Sequence, residues 1–149
     1  MDNVFDSLIH NKSLIIPVGV WCIAQGMKLF ITLLRDKRLD FSRLVAMGGM
    51  PSAHTGLVCA LATTIARTNG VDSPLFAISA IFAAVVVYDA AGLRRSVSIQ
   101  ASILNQMIDE LFKGKPVFEQ RLREFIGHTR FEVLIGAILG ILASWLLTI

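Results

Sequence analysis

A few ionisable residues interrupt otherwise apolar stretches of this chain, and their spacing has chemical meaning. Lys28 and Arg35 lie seven residues apart. On a helix that is two turns, about 10.5 Å along one face. The run Gly48-Gly49-Met50-Pro51-Ser52-Ala53-His54-Thr55-Gly56 follows. Its glycines suit a turn and its proline the first turn of a helix. Ser52, His54 and free backbone N–H groups would then gather at a helix N-terminus, a ready anion site. His128 and Glu132 stand at i and i+4, one above the other on a helix face. A carboxylate there can fix the tautomer of a histidine and stabilise its charged form. Asp89 precedes Arg94 and Arg95. The aspartate is a charge partner for an arginine or for Lys28, and a guanidinium matches phosphate with paired hydrogen bonds. Two histidines, a serine at a helix start and several cations suit a phosphate. The three or more close carboxylates of a metal cluster are lacking, so neither a metal nor a cofactor is expected.

Plainer readings stand beside this one. Lys28 and Arg35 are placed to snorkel to an interface. Ser52 and His54 suit an ordinary cap with a solvated neighbour. His128 and Glu132 suit a simple pair at a membrane boundary.

The elements that must position these residues are membrane helices. Of 149 residues, 54% are apolar and 17% charged, against about 25% charged in an ordinary soluble domain. Mean hydropathy is +0.66. These values exclude a soluble globule and a disordered chain, which is poor in apolar residues. The length fits a single domain over 1–149. Cys22 and Cys59 lie inside apolar runs, as buried free thiols do, and no disulfide framework is expected. Runs at about 14–34, 51–68, 74–92 and 131–149 approach the ~20 residues that cross a bilayer. The first is too long for a cleaved signal and no A-x-A site follows it.

Between the last two runs, the segment 95–127 is amphipathic. Ile99, Ile103, Leu104, Met107, Ile108, Leu111 and Phe112 recur in steps of three and four, the stripe of a helix that lies in the membrane interface or packs on the bundle or on a second subunit. Gly114-Lys115-Pro116 breaks it, and Phe118, Leu122, Phe125 and Ile126 form a second short stripe. The expected fold is all-α: an integral membrane helical bundle of about four transmembrane helices with one or two amphipathic helices. Eleven of the 14 basic residues fall in the segments after the first and third runs. The positive-inside rule makes that side cytoplasmic, with both termini outside and the candidate site at the cytoplasmic face.

These residues resemble the motifs of the type 2 phosphatidic acid phosphatase superfamily, which also holds bacterial acid phosphatases and vanadium haloperoxidases. The superfamily reads Lys, six residues, Arg-Pro; then Pro-Ser-Gly-His; then Ser-Arg, five residues, His, three residues, Asp. Lys28 and Arg35 keep the first spacing, Pro51-Ser52-Ala53-His54 matches the second motif apart from alanine, and His128 to Glu132 is similar to the end of the third. The likeness is to the small, divergent membrane branch and covers the chain from about Gln25 onward. It departs in four places. Asp36 follows Arg35 where the motif has proline, Ala53 stands for glycine, Glu132 for aspartate, and Leu122 occupies the position six before His128 where an arginine belongs. Arg94 or Arg95 would then take the place of that arginine.

The resemblance implies a mechanism. His128 attacks phosphorus, Glu132 orients it, and His54 protonates the leaving oxygen. Lys28, Arg35, Ser52 and an arginine hold the phosphoryl oxygens. The expected activity is metal-independent hydrolysis of lipid phosphate monoesters or polyprenyl (di)phosphates, with a membrane lipid phosphate as substrate. The superfamily has six core helices and this chain has four spans, so a homo-oligomer that supplies further helices is carried as an expectation. The competing expectation is a catalytically inactive membrane protein that binds anionic headgroups or a partner. A transporter fits less well, because the charges cluster at one face rather than at the midplane. Basic loops beside membrane spans point to interfacial anchoring and not to nucleic acid. In a bacterium the location would be the inner membrane.

Overall fold

The computed structural model describes residues 2–37, 49–111 and 129–148. Among them the chain forms α1 (Asp2–Ile9), α2 (Lys12–Asp36), α3 (Ala53–Asn69), α4 (Pro74–Ala91), α5 (Leu93–Leu111) and α6 (Arg130–Leu147), and no strand. The chain is an all-α membrane bundle. Helices α2, α4 and α6 are long and apolar enough to cross a bilayer. Much of their apolar surface faces outward: Ile78, Ile81 and Leu146 are each about two-thirds exposed. In water that exposure would be costly; in a bilayer these side chains meet hydrocarbon.

Helix α3 is the hub. It is rich in small residues and packs against α2, α4 and α6. Ser52, Gly56, Ala60 and Thr64 recur every four residues along it and are all buried. Gly136, Gly140 and Ser144 do the same on α6. Small residues at this spacing let two membrane helices approach closely. A Cβ on Gly136 would lie 2.5 Å from the Ser52 carbonyl oxygen, and one on Gly140 would overlap the Gly56 carbonyl oxygen. These contacts advance together along both helices, so α3 and α6 are parallel. Helix α2 runs the other way: Val20 meets Gly56 while Lys28 meets Gly49.

Local sequence explains the α3–α4 turn. Gly70 ends α3 with a φ of +87°, a conformation that favours glycine. Ser73 caps α4 by accepting from the Phe76 amide at 3.2 Å, and Pro74 fills the first helical position, where its missing N–H costs nothing. Helices α3 and α4 thus form an antiparallel hairpin, and α4 ends level with the start of α3.

Three expectations change. Helix α1 was not anticipated; its Val4, Phe5, Leu8 and Ile9 are exposed. Pro51 precedes the α3 cap rather than entering its first turn. The amphipathic helix begins at Leu93 and follows α4 after Gly92 alone. Its predicted stripe does not face the bundle: Ile99, Ile103, Leu104 and Met107 are about half exposed, whereas Ala101 and Asn105 are buried. The second short stripe lies outside the described residues.

Candidate phosphate site at two helix N-termini

Lys28 closes a buried stripe on α2. Ile16, Val20, Ala24 and Lys28 follow one another at intervals of four, and Lys28 is only 6% exposed. A lysine within a membrane span is costly and by default a functional candidate. Gly49 lies against its stem: a Cβ there would be 3.8 Å from Lys28 Cδ, and Gly49 has a φ of +85°. Glycine at this position therefore meets a backbone demand as well as a steric one.

Ser52 is fully buried at the start of α3. Its Oγ accepts from the Thr55 amide at 3.4 Å and donates to Thr55 Oγ1 at 3.0 Å. This is an N-cap, which satisfies one of the amides that a helix start leaves without an internal acceptor. The Ser52 backbone N–H donates to the Glu132 carbonyl at 3.1 Å, tying the start of α3 to the first turn of α6. Ser52 is thus engaged as the cap and the dock of α3. The amide of Ala53 belongs to the first turn, where a helix supplies no carbonyl of its own.

Glu132 has a similar local duty. Thr129 caps α6 by accepting from the Glu132 amide at 3.2 Å, and Glu132 Oε2 accepts from the Thr129 amide at 3.0 Å. This reciprocal capping box has a sequence signature, Thr-x-x-Glu, that the reading of residues 128–132 passed over. Helix α6 begins at Arg130, with Thr129 as its cap. His128 itself lies outside the described residues. The Glu132 carboxylate lies within electrostatic range of Lys28.

The parallel packing of α3 and α6 brings two helix N-termini together beside Lys28. Each start carries roughly half a positive charge from its aligned peptide dipoles. Two such ends and an ammonium give a concentrated positive field, and Glu132 offsets part of it. An anion at this place would be held by dipoles, amides and Lys28 together. The signal in the sequence was the small-x-x-x-small spacing on both helices, which predicts close approach.

The remaining site residues are placed as follows. His54 stands in the first turn of α3 with its side chain exposed. Asp89 is half-buried near the end of α4, at the same end of the bundle. Arg35 lies in the last turn of α2, and Arg94 and Arg95 in the first turn of α5; the side chains of these three arginines are not described. Lys28, Ser52 and Glu132 are brought together. Among the described residues no group of three or more His, Cys, Asp or Glu is placed to hold a metal, and Cys22 and Cys59 are free thiols.

Comparison with known proteins agrees with the family resemblance. The profile described as the divergent PAP2 family matches residues 9–143. The chain belongs to the divergent PAP2 family. It is also 34% identical over 151 residues to a protein of Bacillus subtilis (strain 168) named as an uncharacterized membrane protein, YuiD; the match covers 94% of this chain and 96% of that one. No solved structure matches the chain significantly.

Proposed function

We propose that the chain is a membrane phosphatase for lipid phosphates, with its site where α3 and α6 begin. The observation that carries this reading is the convergence of the two helix starts on the buried Lys28. Such an arrangement is costly to build in a membrane unless an anion uses it. Membership of a family related to lipid phosphatases supports the same choice of anion.

In the proposed reaction the phosphoryl oxygens sit against Lys28, the first-turn amides of α3 and one or more of Arg35, Arg94 and Arg95. Ser52 holds the α3 start in position. A ring nitrogen of His128 attacks phosphorus as the ester P–O bond breaks, and His54 gives its proton to the leaving lipid oxygen. Water then attacks the phosphohistidine. His54 takes a proton from it, the P–N bond breaks and inorganic phosphate leaves. Charge builds on the non-bridging oxygens in both steps, so fixed donors in a dry site lower both barriers. Passing through the histidine divides one hard step into two. Glu132 fixes the first turn of α6 next to His128 in sequence and tempers the charge of Lys28. The bilayer supplies the substrate laterally, and the clustering of basic residues in the sequence supports a site in the cytoplasmic leaflet.

The test is phosphate release by the purified full-length protein in detergent with a chelator present. Substrates are phosphatidate, phosphatidylglycerol phosphate and polyprenyl phosphates and diphosphates. Release from at least one of them is expected. Silence across the panel would favour the second reading, a headgroup-binding protein without catalysis. That reading draws on the engagement of Ser52 and Glu132 in caps and on the absence of an arginine six before His128.

A further inference from the structure

A groove lies at the other end of the bundle, away from Lys28. Its floor is α3 and its walls are α4 and α6, which both pack on α3 but barely meet each other. It has a volume of about 380 Å³, within the roughly 300–1,000 Å³ of small-molecule sites. Cys59, Ala62 and Ala66 form the floor, with Ala80 and Ile141 on the walls. Thr63 also lies on the floor, but its hydroxyl donates to the Cys59 carbonyl at 2.8 Å, which leaves an apolar surface. At the rim, the Arg67 guanidinium stacks over the Trp145 ring, 4.4 Å from its centroid.

We propose that this groove holds one acyl chain of an anionic phospholipid whose phosphate rests on Arg67. The groove opens sideways between helices that cross the bilayer, so hydrocarbon is what lies outside it. Arg67 supplies the charge complementarity. The α3 dipole accounts for a cation in the last turn of that helix, but not for its stacking on a residue of α6. Stacking occupies the face of the guanidinium and leaves its N–H edge for paired bonds to phosphate oxygens. Among the described residues no carboxylate forms an ion pair with Arg67. Trp145, half exposed, marks the level of an interface, where tryptophan is enriched. The headgroup therefore sits in the leaflet opposite the Lys28 site.

Trp145 is the reporter. The chain has two tryptophans, so Trp21→Phe leaves Trp145 alone. The full-length protein is placed in phosphatidylcholine nanodiscs containing either chain-brominated phosphatidylglycerol or chain-brominated phosphatidylcholine, and each variant is normalised to its own unquenched emission. Half-quenching is expected at an about fivefold lower mole fraction of the anionic lipid, the ratio for about one basic contact near a membrane surface. Arg67→Gln should abolish that preference, and Ala80→Phe, which fills the groove, should weaken quenching by both lipids. Equal quenching by the two lipids in the Arg67 protein would overturn the proposal. So would a preference that survives Arg67→Gln, or a Trp145 that neither lipid quenches because a second copy of the chain covers it.

Discussion

Lys28 and Glu132 carry opposite demands, and single substitutions separate them. A buried ammonium costs stability in a span, whereas as a phosphate ligand it serves the reaction. Lys28→Met keeps the length of the stem and removes the charge. It should lower phosphate release by about 10²–10³-fold, the range for loss of one fixed donor, while the thermal midpoint in detergent stays level or rises. A fall in both would make Lys28 a structural residue. Glu132 divides differently. Glutamine also completes a capping box, so Glu132→Gln should retain the midpoint and change turnover alone. Glu132→Ala loses the cap too and should cost about 0.3–1.5 kcal/mol. The spacing of Lys28, Ser52 and Glu132 was legible because charge is scarce in apolar runs. That Ser52 and Glu132 are occupied as helix caps was also written in the sequence, as a serine before the apolar run and as Thr-x-x-Glu. Chemistry-bearing residues and capping residues are the same types, and only the backbone separates the two uses.

At the scale of elements, the contact between α3 and α6 sets the site. Two glycines in this contact make opposite predictions. A Cβ on Gly140 would run into the backbone of α3, whereas one on Gly56 meets the Gly136 carbonyl oxygen at 3.4 Å and Val20 at 3.7 Å. Backbone cannot rotate away as a side chain can. Gly140→Ala should therefore destabilise by about 1–3 kcal/mol, as overpacking does, and disturb the Ser52–Glu132 tie. Gly56→Ala should be nearly silent. Thermal unfolding of both variants in one detergent checks the contrast, and equal midpoints would contradict the parallel packing. Hydropathy showed α2, α4 and α6 plainly. Helix α3 was harder to bound, because a helix buried among others needs small residues rather than long apolar ones. Helix α1, only eight residues long, was missed because its amphipathic pattern covers barely two turns.

For the whole molecule, antiparallel α2 and α3 and the α3–α4 hairpin put the ends of α2 and α4 and the starts of α3 and α6 at one face. Lys37, just after α2, and Arg130, at the start of α6, lie at that face as well. In a protein cleared of Cys22 and Cys59, Lys37→Cys should react only from the cytoplasmic side and Asn69→Cys only from the outside; the reverse pattern would move the site to the outer leaflet. All of this converges on whether phosphate passes through the protein. The direct measurement is rapid acid-free quenching during turnover of a labelled lipid phosphate, followed by mapping of any protein-bound phosphoryl group. A base-stable, acid-labile phosphoryl group on His128, absent from His128→Ala together with turnover, is the expected result. Full turnover by His128→Ala, or no phosphate released from any lipid substrate, would contradict the account.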